Sequence, residues 1–498
     1  MQPATRNFLL FGGCLLFHLA GTWALPLVDR DEPRFAEASR EMIERGDYVV
    51  PYFNNRYRFD KPPLTYWFQV ASYRAFGENA LAARLPSALA AALTAVAILA
   101  WGRRLQLERA GFWAAILFTL CLQTFLHAKA AVADMWLVFF MTLAHWAGYE
   151  LWRDRFGGTW RSVVVRPRKR RAWWWLFYLA LACAFLAKGP IGWMPLGTVA
   201  VMQFLRPTDH FARRFLFVRG VLLMLALVAL WGVPALLQTH GEFLNVGLGR
   251  HVVGRSFGTM QGHGGKSIAA ALLSLPFYFI TVFFSFAPWS WKLPGLARRL
   301  WGKRDALDLY LIAGCAVIVI IFTIVKTKLP HYILPAFPLL ALLLARHWLE
   351  GPTGERSLRR WSLGSATVLL AVALIGFPLL APYFPSAALF RQAAPYLQPE
   401  MDFAAYDFDA PSLVWNFRSR VRGFLTYNRE NNRDVTTLQP DQIPPFLASA
   451  GPHFVVLPTV VADQLYPTLP SGYRKFSTSG LDFAKGRWVD LTLILKNT

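Results

Sequence analysis

Leu309-Tyr-Leu-Ile-Ala-Gly-Cys-Ala-Val-Ile-Val-Ile-Ile-Phe-Thr-Ile-Val325 contains no charged side chain, and Lys326-Thr-Lys328-Leu-Pro-His331-Tyr332 follows it at once. An apolar run of that length approaches the roughly 20 residues a helix needs to cross a bilayer. The abrupt return of cations marks where such a helix meets water. The same ruler laid along the chain predicts eleven spans, at about 8–28, 80–101, 111–127, 132–151, 173–187, 190–205, 219–238, 270–291, 309–325, 332–349 and 362–382. Composition agrees: 55% of the 498 residues are hydrophobic and 16% charged, against roughly 25% charged in a soluble globular chain. That excludes a disordered chain and argues against an ordinary soluble enzyme. The expected fold class is a polytopic α-helical membrane protein.

The net charge of +23 raises nucleic acid as a partner, but its placement points elsewhere. With the N-terminus inside, the loops 102–110, 152–172, 205–219, 292–305 and 346–360 hold 24 basic residues, including Arg166-Pro-Arg-Lys-Arg-Arg171. The short outer loops at 127–131, 188–190, 239–267 and 326–331 hold 7. Basic residues collect on the cytoplasmic side of membrane proteins, where they meet anionic lipid. Membrane lipids are therefore expected partners, and nucleic acid is not. The first apolar segment is longer than a signal-peptide core and only Arg6 precedes it, so it reads as a retained span.

An odd number of spans puts the C-terminal region outside. The chain then divides into a membrane domain, residues 1–382, with a long outer loop at 29–79, and a small soluble α/β domain at 383–498. In the latter, Phe403–Phe408, His453–Pro458 and Arg487–Lys496 read as strands, and Ser412–Arg422 as a helix. Cys14, Cys121, Cys183 and Cys315 lie singly in apolar stretches, without metal-ligand spacing or an evident disulfide partner.

Ionisable groups at helix mouths are costly, so their clustering is informative. The loop 29–79 gathers Asp29, Asp31, Glu32, Arg34, Glu37, Asp60 and Lys61. Within it, Phe35, Ala38, Met42 and Ile43 recur at helical spacing behind Pro33, which predicts an amphipathic helix on the membrane surface. Pro62-Pro63 leads to Tyr66-Trp67-Phe68, expected in a second interfacial helix. His127, Lys129 and Asp134, then Lys188, then Arg250, His251 and Arg255, then Lys326, Lys328, His331 and Tyr332 fall on the same outer side. Several cations (Arg34, Lys61, Arg250, Arg255, Lys328) suit a phosphate, which Arg binds bidentately and Lys as a point charge. The carboxylates Asp31, Asp60 and Asp134 suit a general base, a metal, or partners for those cations. Phosphate-binding cations beside carboxylates at a membrane–water boundary are what a lipid-phosphate sugar donor requires, because charge must stabilise the departing phosphate.

Asp31-Glu-Pro-Arg-Phe-Ala-Glu-Ala-Ser-Arg-Glu-Met, Gly46-Asp-Tyr-Val-Val-Pro and Phe59-Asp-Lys-Pro-Pro-Leu resemble the first outer loop of ArnT-like glycosyltransferases. These are bacterial lipid A 4-amino-4-deoxy-L-arabinose transferases, relatives of the protein O-mannosyltransferases with the GT-C membrane fold. Ala133-Asp134-Met, Lys188-Gly189-Pro190 and Lys326-Thr-Lys-Leu-Pro-His-Tyr-Ile-Leu-Pro335 are similar to further motifs of that family, in the same order, over roughly residues 1–350. The resemblance implies an undecaprenyl-phosphate-linked sugar donor, a lipid A or other envelope acceptor, and inverting transfer on the periplasmic face of the inner membrane. It implies that Arg34 and Lys61 hold the donor phosphate with Tyr332 and either Arg250 or Arg255, and that Asp31 and Asp134 are the site aspartates. A divalent metal is a possible cofactor: the family's metal-associated Glu is matched here by Asp60, with His251 as its partner. The C-terminal third departs from the family pattern of further spans.

Two other readings are consistent with parts of this pattern. A protein or polysaccharide glycosyltransferase of the same fold would use a hydroxyl acceptor. A transporter would place its site near the midplane, within repeats and broken helices, whereas the charges here gather at one face. His18 and His145 fall inside spans and read as packing residues. Gly262-His-Gly-Gly-Lys266-Ser lacks P-loop spacing and reads as a lid. Trp173-Trp-Trp175 reads as an interfacial aromatic belt.

Overall fold

The computed structural model describes residues 2–153, 167–243, 245–247, 275–423 and 438–496. The chain opens with α1 (Pro3–Leu19) and α2 (Asp31–Arg45), then a minimal hairpin, β1 (Tyr52–Phe53) with β2 (Arg56–Tyr57), and α3 (Leu64–Phe76). The helices α4 (Ala80–Arg104), α5 (Glu108–Thr119), α6 (Leu122–Ala128), α7 (Asp134–Trp152) and α8 (Pro167–Lys188) follow. Further apolar helices occupy Met194–Leu205, Phe217–Gln238, Phe277–Ser285, Ala306–Ile324, Phe337–Trp348 and Gly354–Ala371. Among the described residues, four helices are long and apolar enough to cross a membrane: Ala80–Arg104, Phe211–Gln238, Ala306–Ile324 and Gly354–Tyr383. A fifth is formed if α5 and α6, bent by 66°, count as one broken span.

Small residues put α4 at the bundle's centre. Ala83, Ala88, Ala90, Ala91, Ala92 and Ala95 are fully buried, which lets neighbouring backbones approach closely. A Cβ on Gly102 would lie 2.5 Å from the Cα of Gly111, so α4 and α5 meet where both lack side chains. The share buried inside the protein is 72% for the apolar window of α4 but 11% for that of Gly354–Tyr383. The first is a core helix, and the second turns its Leu and Val side chains outward, toward lipid.

The C-terminal region forms a four-stranded sheet of β3 (Asp402–Ala405), β4 (His453–Pro458), β5 (Tyr473–Asp482) and β6 (Arg487–Lys496), ordered β3-β4-β6-β5. β3 runs parallel to β4 with Asp402 opposite His453, and the other pairs are antiparallel. Helices cover both faces. Phe403, Phe454, Phe417 and Leu493 pack on one side together with Phe53 of the hairpin, and Ile443, Leu447, Ala462 and Ile494 on the other. The helix after β3 is Pro411–Phe417, shorter than the expected Ser412–Arg422. β5 was not expected: it is an edge strand whose exposed residues are Arg474, Lys475, Ser477 and Ser479, so it lacks an apolar signature.

The expectation for α2 needs correction. Its apolar stripe is not free to rest on lipid, because both of its faces are buried in the protein. Phe35, Ala38 and Met42 pack against Tyr66, Val70 and Val132, while Glu37, Arg40 and Glu41 are covered by the C-terminal unit. Trp415 takes the Arg40 guanidinium over its ring and stacks on Tyr73 of α3, which makes α3 part of the same layered contact.

Candidate active site

The pocket at the mouths of the helices is built on one buried ion pair. Arg84 of α4 donates to Glu32 Oε1 at 2.9 Å and Oε2 at 2.6 Å, and also to the carbonyls of Thr22, Leu25 and Pro26. Glu32 in turn accepts from the backbone N–H of Val28 and of Ala131. One carboxylate and one guanidinium thus tie the end of α1, the start of α2, α4 and the entry to α7. Asp31 on α2 and Asp134 on α7 are thereby brought to a common cavity.

That cavity encloses about 730 Å³ including its open mouth, and its lining includes Asp31, Arg34, Arg58, Asp60, Lys61 and Asp134. Lys188, His331 and Tyr332 complete its polar wall. The side chain of Asp31 is 63% exposed, with Oδ1 3.7 Å from Arg34 Nη1. Arg58 Nη2 pairs with Asp60 Oδ2 at 2.9 Å, its Nε donates to Tyr66 Oη, and Lys61 Nζ donates to the Asp60 carbonyl. Lys188 Nζ donates to Asp134 Oδ1 at 2.5 Å and lies 5.4 Å from the Tyr332 ring centroid. His331 Nε2 is 3.9 Å from the same Asp134 oxygen. The cavity therefore offers an open carboxylate at its mouth, a cation-held carboxylate deeper in, and several guanidinium and ammonium groups between them.

The structure brings together Asp31, Arg34, Asp60, Lys61, Asp134, Lys188, His331 and Tyr332 of the residues singled out in the sequence. Lys328 is not among the lining residues: its ammonium donates to the carbonyls of Thr323 and Val325 and caps the helix Ala306–Ile324. Lys129 caps α1 in the same way, through the carbonyls of Phe17, His18 and Ala20. Arg250, His251 and Arg255 lie outside the described residues, as does the Gly262–Ser267 stretch. Arg58 was missed; its position two residues before Asp60 in the dense charged loop was the available signal. For a metal on Asp60 the fit is poor among the described residues: Oδ2 is paired with a guanidinium, and no two further ligand groups gather around this carboxylate.

Below the pocket, Asp29 accepts hydrogen bonds from the N–H (2.8 Å) and hydroxyl of Ser412, at the start of the helix Pro411–Phe417. Burial pushes its carboxyl up to about 7; the two Ser412 hydrogen bonds oppose the shift, Asp482 adds to it and Arg34 lowers it.

Residues 60–232 match the family model described as dolichyl-phosphate-mannose-protein mannosyltransferase. An uncharacterized protein of Aquifex aeolicus is 30% identical over 339 residues, 68% of this chain and 72% of its own. An undecaprenyl phosphate-alpha-4-amino-4-deoxy-L-arabinose arabinosyl transferase of Erwinia tasmaniensis is 28% identical over 393 residues. The match takes in 76% of this chain and 66% of that one, so the chain spans about two thirds of that relative's length. In three dimensions the chain superposes on the crystal structure of ArnT from Cupriavidus metallidurans bound to undecaprenyl phosphate, with a TM-score of 0.76 at 22% identity. That superposition covers 98% of each chain, so the expected departure of the C-terminal third does not hold at the level of fold. In motif order, sequence kinship and fold alike, the chain belongs to the ArnT-like glycosyltransferases, membrane enzymes of the GT-C class related to the protein mannosyltransferases.

Proposed function

We propose that the protein transfers a sugar from an undecaprenyl-phosphate donor to an envelope acceptor, and that the sugar is 4-amino-4-deoxy-L-arabinose and the acceptor a lipid A phosphate. The observation that carries this reading is the cavity itself. It sets Arg34, Lys61 and Lys188 beside Asp31 and Asp134 at the mouths of membrane helices. The names of the relatives support the choice of sugar and carrier. Arg34 and Lys61 bind the donor phosphate, with Tyr332 and an arginine from the 250–255 stretch assisting. Their charge is worth most when the glycosidic bond breaks and the phosphate leaves. Lys188 holds the Asp134 carboxylate and orients it toward the sugar.

In this reading the pocket and residues 383–498 face the periplasm of the inner membrane, residues 1–382 form an eleven-span transferase domain, and the 24 basic loop residues face the cytoplasm. A second reading, transfer to a hydroxyl, is favoured by the exposure of Asp31, whose carboxylate stands at the mouth where an incoming hydroxyl could lose its proton.

The test is a reconstituted assay with undecaprenyl-phosphate-aminoarabinose and lipid A, with product read by mass. Sugar added by wild type and lost in Lys61→Ala supports both the substrate pair and the phosphate site. An intact donor left untouched by folded wild-type protein refutes the aminoarabinose assignment and moves the search to other polyprenyl-phosphate sugars.

A further inference from the structure

At the inner wall of the cavity, two histidines that the transfer reading does not use, His127 and His331, gather with Asp134, which it does use. His127 stands at the end of α6, Asp134 opens α7, and His331 comes from the tight helical turn Pro330–Ala336. One ligand atom from each can be chosen so that all three lie within 4.8 Å of one another. The two imidazole rings are 4.7 Å apart, centroid to centroid. We propose that His127, Asp134 and His331 form a binding site for a divalent transition metal of the zinc type, with a fourth coordination position open to the cavity.

Three features carry the assignment. The donor set is the first: two imidazole nitrogens and one carboxylate oxygen are a three-ligand combination that zinc takes in sites with an open position. Metal–ligand bonds of about 2.1 Å in a tetrahedron set ligand atoms roughly 3.4 Å apart. Closing from the observed spacing takes side-chain movements on the order of 1 Å, and no backbone change.

The second feature is outer support. The Gln123 amide nitrogen Nε2 lies 2.9 Å from His127 Nδ1. In this orientation that nitrogen donates to Nδ1. A flip of the amide, whose O and N are interchangeable in shape, turns its carbonyl oxygen to Nδ1. Gln123 then accepts the Nδ1 proton and leaves the Nε2 lone pair for the ion, as metal-bound imidazoles do to fix their tautomer. The third is placement. Asp134 and His331 line the cavity while His127 stands behind them, so the open position points where an oxygen of water, phosphate or hydroxyl arrives.

Lys188 is the competing cation, because it already holds Asp134 Oδ1. A carboxylate has two oxygens, so the ion and the ammonium can share it, one on each.

The proposal does not depend on which sugar or acceptor the enzyme uses, and its test reads the metal directly. Full-length protein with a tag free of histidine is purified in detergent, stripped with a chelator, reloaded with Co²⁺ and dialysed. Wild type is expected to retain about one equivalent with the visible d–d bands of a low-coordinate site, bleached when Zn²⁺ displaces the cobalt. His127→Ala and His331→Ala each lower cobalt binding by roughly ten-fold or more, while Asp60→Ala keeps it. His127→Gln and His331→Gln, nearer in size and polarity, repeat the loss in protein that elutes from gel filtration as wild type does. Wild type without stoichiometric cobalt overturns the proposal. So does full binding by either histidine variant, and so does loss through Asp60→Ala alone, which places the ion elsewhere.

Discussion

Glu32 and Asp31 are neighbours in sequence with opposite duties, and their surroundings separate them. Asp31 is open to water and 3.7 Å from its nearest cationic partner, Arg34. Glu32 is 4% exposed and receives Arg84 as well as two backbone N–H groups. Removing one partner of a buried ion pair leaves the other charge desolvated and unmatched, at a cost of about 3–5 kcal/mol. Arg84→Met is therefore expected to destabilise the protein by that amount, seen as a lower denaturation midpoint in detergent. A change below about 1 kcal/mol would contradict the anchoring role. For Asp31 the expectation lies in rate. If the acceptor is a phosphate, its oxygen is already ionised, and Asp31→Asn keeps measurable turnover with an unchanged fold. If it is a hydroxyl, the lost base costs roughly 10²–10⁴ in kcat. Comparing kcat for the variant on lipid A and on hydroxyl-bearing acceptors distinguishes the two. Most of the site was legible at this scale, because charge at an apolar helix mouth is conspicuous in Asp31, Arg34, Lys61 and Asp134. Lys129 and Lys328 give the same signal for a different reason: each ammonium closes the carbonyl end of a helix.

Among the elements, α2 shows where sequence reading stops. Its apolar stripe was evident, and an apolar stripe opposite a charged face describes a surface helix. The charged face is buried instead, because its partners come from more than three hundred residues away. Arg418 donates to Glu44 at 3.3 Å and to Asn55 at 3.2 Å, with its Nε 3.9 Å from Glu37. No local periodicity encodes such a partner. The edge strand β5 escaped for a related reason, since its pairing with β6 rests on backbone hydrogen bonds between residues of mixed polarity. The contact between α2 and the C-terminal unit also makes a pH prediction through Asp29. Its folded pKa is raised to about 7 from an ordinary 3.8. The folded state therefore holds a proton that the unfolded chain has lost, and the contribution, complete below about pH 4, fades as pH rises through 7. The melting temperature is expected to drop by a few degrees between pH 5.5 and 8. Asp29→Asn, an amide that keeps the neutral shape, should flatten that dependence; an unchanged slope in the variant would remove Asp29 as its source. Arg418→Met tests the same contact without pH, and should release the C-terminal unit to limited proteolysis while the helical bundle stays intact.

At the scale of the whole molecule, two asymmetries coincide. The cavity, α2 and the C-terminal sheet gather at one end of the bundle, while the loops at 102–110, 292–305 and 346–360 gather the ion pairs of Arg103, Arg299 and Arg346 at the other. The first asymmetry is chemical and the second is the charge bias by which membrane proteins are oriented. Neither was used to derive the other, and an enzyme that receives a lipid-borne donor needs its phosphate pocket at a membrane face rather than at the midplane. If the basic loops are cytoplasmic, the sheet and the cavity share the opposite compartment. Ser471, in an exposed turn before β5, and Lys303, in an exposed loop beside the basic helix end, stand on the two sides. Single cysteines at these positions, in a background where Cys14, Cys121, Cys183 and Cys315 are replaced by alanine or serine, report the orientation directly. A membrane-impermeant maleimide applied to intact spheroplasts is expected to label Ser471→Cys fully and Lys303→Cys only after permeabilisation. Labelling of Lys303→Cys in intact spheroplasts with Ser471→Cys protected would invert the topology and place the cavity in the cytoplasm. The pocket would then open to the cytoplasm, and the proposed transfer to an acceptor on the periplasmic face would no longer be tenable.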